Sequence, residues 1–149
     1  MTLAEQVGAL KRVIGRLVRQ RVGEDTSRPF MQLLVLKVVE TEGLRHQSLI
    51  AERLMVDAPA VSRLVDRLAE DGLIERRAGT NRRNVHLEVT DAGRRELKVL
   101  RAGLLWLDAE ARQCLTDAEF RQLTHLMQKL HTGLAQRSSS GSPAADGAA

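Results

Sequence analysis

Between Arg76 and Arg83 the chain places four arginines and no acid, in the order RRAGTNRR. A guanidinium is a permanent cation with a planar fork of donors, matched to phosphate oxygens and to base edges. Arg82 and Arg83 share a short turn with Gly79 and Asn81, residue types that accept turn geometry, and VHLEV follows with the alternation of a strand. Upstream, DAPAVSRLVDR supplies a second set of groups. Ala58 and Ala60 are small enough to let a backbone approach another surface, and Ser62, Arg63 and Arg67 carry donors. These residues lie opposite Val61, Leu64, Val65 and Leu68 on a 3.6-residue period, so one helix can bury its apolar face and present the other. Charge on that helix is not concentrated: Arg63 and Arg67 stand against Asp57, Asp66, Glu70 and Asp71. The concentrated positive charge belongs to the turn. Asp66 would repel a phosphate, so its expected role is to pair with Arg63, Arg67 or an arginine at the base of the hairpin. Arg76 and Arg77 are successive strand residues and must face opposite ways, and the sequence does not choose between them.

The elements that position these groups read as follows. A first helix over 2–22 carries Leu3, Val7, Leu10, Ile14 and Leu17 at alternating steps of four and three, a narrow seam suited to another helix. A second helix is capped by Thr26 or Ser27 with Pro29 in its first turn; its body FMQLLVLKVVE is apolar nearly all round and therefore buried, and Gly43 closes it. A third, short helix runs from about Gln47 to Leu54, with His46 as a possible cap, and a fourth follows Asp57 as N-cap and ends at Asp71-Gly72. Strands are expected over 73–77 and 85–89, with Val85, Leu87 and Val89 on one face, and the hairpin tip spans 78–84. Thr90 caps a long fifth helix striped by Leu97, Leu100, Leu104, Leu107, Ala111 and Cys114. Thr116-Asp117-Ala118-Glu119 is a capping box opening a sixth helix striped by Phe120, Leu123, Met127, Leu130 and Leu134. After Arg137 the composition falls to SSSGSPAADGAA, so 138–149 is expected to be a disordered tail.

Composition narrows the function classes. With 149 residues, 43% apolar and 28% charged, the chain suits one globular domain over 1–137. No apolar run reaches the roughly 18 residues of a membrane span, and the charged N-terminus MTLAEQVGALKRV reads as neither signal peptide nor anchor, so no membrane partner is expected. The single Cys114 excludes an intramolecular disulfide and suits a reducing, cytoplasmic setting; on the apolar stripe it is expected to pack rather than react. His46, His86, His125 and His131 lack ligand spacing, and no phosphate loop, nucleophile elbow or paired carboxylates occur. No metal, cofactor or enzymatic activity is expected.

Two short helices joined by a tight turn and followed by a basic-tipped hairpin form a winged helix-turn-helix, in a chain that is otherwise mainly α. IAERLMVDAPAVSRLVDRLAEDGLIERR followed by TNRRNVHLEVTDAG resembles the MarR family of dimeric winged-helix transcriptional regulators. The resemblance is specific over Ile50 to Gly93 and agrees in pattern with the helices on either side. It implies a homodimer on a palindromic double-stranded DNA operator, with repression relieved by a small ligand or oxidant. The lobe would be 27–90, with dimerisation helices over 2–22 and 91–136. The helix from Ala58 would enter the major groove, Arg83 would stand at the wing position that reaches the flanking minor groove, and Arg82 would meet phosphate. Asn81 stands where the family commonly has an aspartate, and Gly79 where it often has proline.

A small aromatic or acidic effector is the ligand class implied, in a pocket between the DNA-binding lobe and the dimer helices. The candidates to line it are Phe30, an aromatic at the start of the second helix, with Arg16 and Arg94 to meet an acidic or phenolic group. The rival reading is a helical dimer that senses a ligand or binds a protein without touching DNA. The two readings diverge at the wing.

Overall fold

The computed structural model describes residues 1–79 and 85–140. The expected tip arginines Arg82 and Arg83, with Asn81, lie outside the described residues, as does 141–149. Met1–Leu107 form one compact unit and Asp108–Ala149 a second.

In the first unit the helix ends follow the cap chemistry. Thr2 caps α1 (Leu3–Gly23) in a full capping box with Glu5. Neither Thr26 nor Ser27 caps α2 (Phe30–Thr41): the cap position is held by Pro29 in an extended conformation, without a side-chain bond. The proline explains the correction, because the residue before a proline is pushed out of the helical region and the helix cannot start earlier. Thr26 Oγ1 accepts instead from the Arg28 amide at 3.1 Å. Gly43, at φ +69, and Gly72, at φ +73, take the left-handed turns after α2 and after α4 (Ala58–Glu70). α3 (Gln47–Leu54) has His46 at its cap position, but the ring makes no capping bond. Met55 ends α3 in the left-handed region at φ 56, a position that favours glycine.

The hairpin pairs β1 (Ile74–Ala78) with β2 (Val85–Val89) in antiparallel register, Ile74 opposite Val89 and Arg76 opposite Leu87. β1 begins one residue later than expected, because the Leu73 amide is spent closing α4 on the Leu68 carbonyl at 2.9 Å. On β2, Leu87 and Val89 are buried, whereas Val85, towards the tip, is exposed. The Leu87 amide donates to the Arg45 carbonyl at 2.8 Å, tying the segment before α3 to the hairpin.

The core is built around α2, whose Leu33, Val35, Leu36, Val38 and Val39 are buried with Ile50, Val61, Val65, Leu68, Ile74 and Leu87. α1 joins it through Val18 and Val22, and α5 (Asp91–Cys114) through Leu100. Two glycines permit close approach. A Cβ at Gly93 would stand 2.2 Å from the Leu73 carbonyl oxygen, and one at Gly103 would stand 2.6 Å from Val22 Cγ2. The expected α1 seam is mostly outward: Leu3, Val7, Leu10 and Leu17 are exposed, with only Ile14 packed against the core.

The second unit holds the end of α5 and all of α6 (Asp117–Ser140). Thr116 and Glu119 form the expected reciprocal cap. α6 buries no residue, and Leu123, Leu126, Met127, Leu130 and Leu134 are exposed. It also runs to Ser140, past the expected end: the hydroxyls of Ser138, Ser139 and Ser140 return to the carbonyls of Ala135, Gln136 and Arg137. Residues 138–140 are thus helix, not tail. Cys114 is exposed, contrary to the packed position expected, because the α5 stripe is fully buried only at Leu100 and the core ends before Cys114 is reached. Among the described residues no helix is long and apolar enough to cross a membrane.

Candidate nucleic-acid interface

α4 presents the groups singled out in the sequence on one outward face, while Val61, Val65 and Leu68 anchor the other. The Asp57 carboxylate accepts from the Ala60 amide at 2.7 Å and fixes the first turn. Ala58 is exposed at that end, and Ala60 and Ser62 are half-buried. Arg63 is exposed and makes no ion pair among the described residues, so its guanidinium is available to an external acceptor. Arg67 differs: it lies 3.7 Å from both Glu70 and Asp71, held along its own helix.

Strand alternation resolves the choice between Arg76 and Arg77. Arg76 shares its face with Ile74, and its Nη2 donates to the Asp66 carboxylate of α4. Arg77 faces the other way, 2.9 Å from Glu88 and 3.2 Å from Glu75. Glu75 and Glu88 stand directly opposite in register, and Arg77 between them offsets a like-charge pair. Arg45, at 3.7 Å, and His86, at 3.2 Å, also meet Glu88. The Asp66–Arg76 pair has two effects: it braces the hairpin base against α4, and it neutralises the one carboxylate in the middle of the outward face.

A cation that the sequence did not single out anchors the other end of α4. Arg28 Nη1 donates to Gln32 Oε1 and Asp71 Oδ2, both at 2.9 Å, and Arg28 Nε lies 3.9 Å from Glu96 of α5. The hydrogen bond from Arg28 holds the Asp71 carboxyl below the ordinary aspartate range. Its only sequence signal was a lone arginine before Pro29.

The three expected ligand residues do not come together. Arg16 is exposed on α1. Phe30 is half-buried, with the Arg19 guanidinium 5.3 Å from its ring centroid. Arg94 lines a cleft of about 410 Å³ between α2 and α5. The floor of the cleft is Leu97, Leu100 and Leu104, and its rim carries Lys37, Arg94, Lys98 and Arg101, with Glu40 the one acid. Neither Arg16 nor Phe30 lines it. Among the described residues no group of three or more metal-ligating side chains assembles.

Comparison with known proteins agrees with this architecture. A family model described as MarR family matches residues 26–84. The HTH-type transcriptional repressor MdtR of Bacillus subtilis (strain 168) is 36% identical over 100 residues, which cover 66% of this chain and 64% of that protein, so the chain spans just under two thirds of this relative's length. The crystal structure of the YusO protein from Bacillus subtilis is 31% identical, covers 87% of this chain and 92% of its own, and superposes with a TM-score of 0.61. A mutant of MarR from E. coli complexed with operator DNA shares the fold at 22% identity and a TM-score of 0.69, covering 86% of this chain and 92% of its own. The helix-turn-helix with its two-stranded hairpin, the matched segment and the extent of the 31% identity lead to one conclusion: the chain belongs to the MarR family.

Proposed function

We propose that the chain is a cytoplasmic transcriptional regulator, a repressor and not an enzyme, that binds double-stranded DNA as a homodimer and releases it when a small ligand binds. The observation that carries this reading is the outward face of α4. It offers Ser62 and Arg63, which makes no ion pair among the described residues, beside small Ala58 and Ala60, and its central acid, Asp66, is already neutralised by Arg76. On this reading α4 enters the major groove, Arg83 reaches the flanking minor groove and Arg82 meets phosphate. A second copy covers the exposed apolar residues of α1 and α6, which gives twofold symmetry and a palindromic site. Ligand response is supported by the cleft between α2 and α5, whose apolar floor and cationic rim suit a small organic acid.

The test is a fluorescence-anisotropy titration with duplex DNA from upstream of the chain's own coding region. Arg63→Ala and Arg83→Ala should each weaken specific binding about tenfold or more while leaving the oligomeric state unchanged. Affinity should fall steeply as salt rises, because phosphate contacts release counterions. Unchanged affinity in both variants would favour a helical dimer that does not read DNA.

A further inference from the structure

The outward stripe of α4 changes character along its length. Pro59, Arg63 and Asp66 follow one another at steps of four and three, so they share one line on the helix surface, and all three are exposed. Half-buried Ser62 borders the line. Donors are scarce at its N-terminal end. A helix start ordinarily offers free amides, but Pro59 has none. The Ala60 and Val61 amides are spent on the Asp57 carboxylate and carbonyl, at 2.7 and 3.2 Å. What faces outward there is the pyrrolidine ring, beside the exposed Ala58 methyl. One turn further on, Arg63 supplies a guanidinium with no ion pair among the described residues. After it comes Asp66, whose carboxylate already accepts from Arg76.

The base edges of a DNA major groove carry one methyl group, the 5-methyl of thymine. Their other recognition groups are donors and acceptors, which a pyrrolidine ring would cover without pairing, at a cost. The ring has no rotamers to lose and its φ is fixed, so the backbone alone places it. Arg63 suits guanine, whose O6 and N7 match its fork. From Pro59 to Arg63 the helix rises about 6 Å, which along the groove is roughly two base-pair steps.

We propose that Pro59 is a specificity-determining residue: its ring reads the 5-methyl group of a thymine close to a guanine read by Arg63. The assignment rests on the reading of α4 as the helix that enters the major groove, and it names the base chemistry that the helix selects. Pro59 contributes no hydrogen bond. It discriminates by shape and apolar contact alone.

The experiment uses the full chain and a library of duplexes with a randomised segment. Repeated binding and amplification should enrich half-sites that hold a thymine about two steps from a guanine. Arg63→Ala, put through the same selection, should lose the preference for that guanine. Each thymine of the winning duplex is then replaced singly by deoxyuridine, which removes the 5-methyl and nothing else. At the thymine near the guanine, this should weaken binding of the unsubstituted chain about fourfold, the worth of one buried methyl. Pro59→Ser changes an exposed side chain and should bind the thymine and uracil duplexes equally, while Pro59→Ala should restore part of the discrimination. A ring that merely starts the helix would instead lower affinity for both duplexes alike. Enriched half-sites without that thymine, or an equal cost of deoxyuridine in the unsubstituted chain and in Pro59→Ser, would overturn the assignment to Pro59 alone. No enrichment of any sequence by the unsubstituted chain would overturn the regulator reading and this assignment together.

Discussion

At the scale of single residues, three positions carry conformational or electrostatic demands that a substitution can expose. Gly93 has no room for a side chain, since a Cβ would press on the Leu73 carbonyl oxygen, which itself accepts from the Thr90 amide. Gly93→Ala should cost about 2 kcal/mol or more, measured by chemical denaturation. Met55 is the opposite case: it is 87% exposed and sits in the left-handed region, so it gains little from its side chain. Met55→Gly should raise stability by about 1 kcal/mol. Asp71 links stability to acidity. Its folded-state pKa is depressed by Arg28, so its stabilisation is complete above the ordinary aspartate range and is lost as pH falls through the folded value. The stability gap between the unsubstituted chain and Asp71→Asn should therefore be widest near neutral pH and narrow below about pH 4. Asp66 shows how far a sequence reaches at this scale. Repulsion from phosphate implied that it pairs, and alternation implied that only one of Arg76 and Arg77 could meet it. Choosing Arg76 needed the strand register, which places it with Ile74 on the inward face. The Arg28 hub was not legible, because two of its partners, Asp71 and Glu96, are distant in sequence.

At the scale of elements, the helices and hairpin were readable wherever cap chemistry and periodicity agreed. α3 and β2 match their expected bounds, and Asp57 and the Thr116–Glu119 box cap as read. The misreadings share a cause, namely local steric limits and hydrogen bonds that periodicity does not announce. Pro29 delays α2, the end of α4 consumes the Leu73 amide, and serine hydroxyls carry α6 to Ser140. Amphipathic seams are likewise ambiguous about which partner they meet. The α1 seam of Leu3, Val7, Leu10 and Leu17 points outward, while Val18 and Val22, outside that seam, reach the core. Gly103 makes this docking possible, and Gly103→Val should dislodge the end of α1 from α5. The expected result is a lower thermal midpoint with the far-ultraviolet helix signal largely kept.

At the scale of the whole molecule, apolar surface is the main unmet demand. Nine exposed residues (Leu3, Val7, Leu10 and Leu17 on α1, with Leu123, Leu126, Met127, Leu130 and Leu134 on α6) are large and hydrophobic. Each helix thus carries its own exposed apolar stripe, and a second copy is the occupant proposed above for both. Deleting α1 would be a poor test, because Val18 and Val22 belong to the core. Leu10→Glu combined with Leu130→Glu leaves the core untouched and should yield a folded monomer by light scattering, with DNA affinity greatly reduced. A dimer surviving both substitutions would place the association elsewhere.

The way α1 is fastened has a consequence for how association can be watched. Only its second half is clasped, by Ile14 against the core and by Val18 and Val22 against Gly103, and no residue from Leu3 to Val13 is buried within the chain. In an isolated chain those leading turns depend on their own hydrogen bonds and on the Thr2 cap, and their amide protons should exchange with solvent rapidly. Once a second chain lies along them, the same protons should be sheltered, while those of α2 exchange slowly in either state. The ratio of the two exchange rates makes α1 a built-in gauge of assembly.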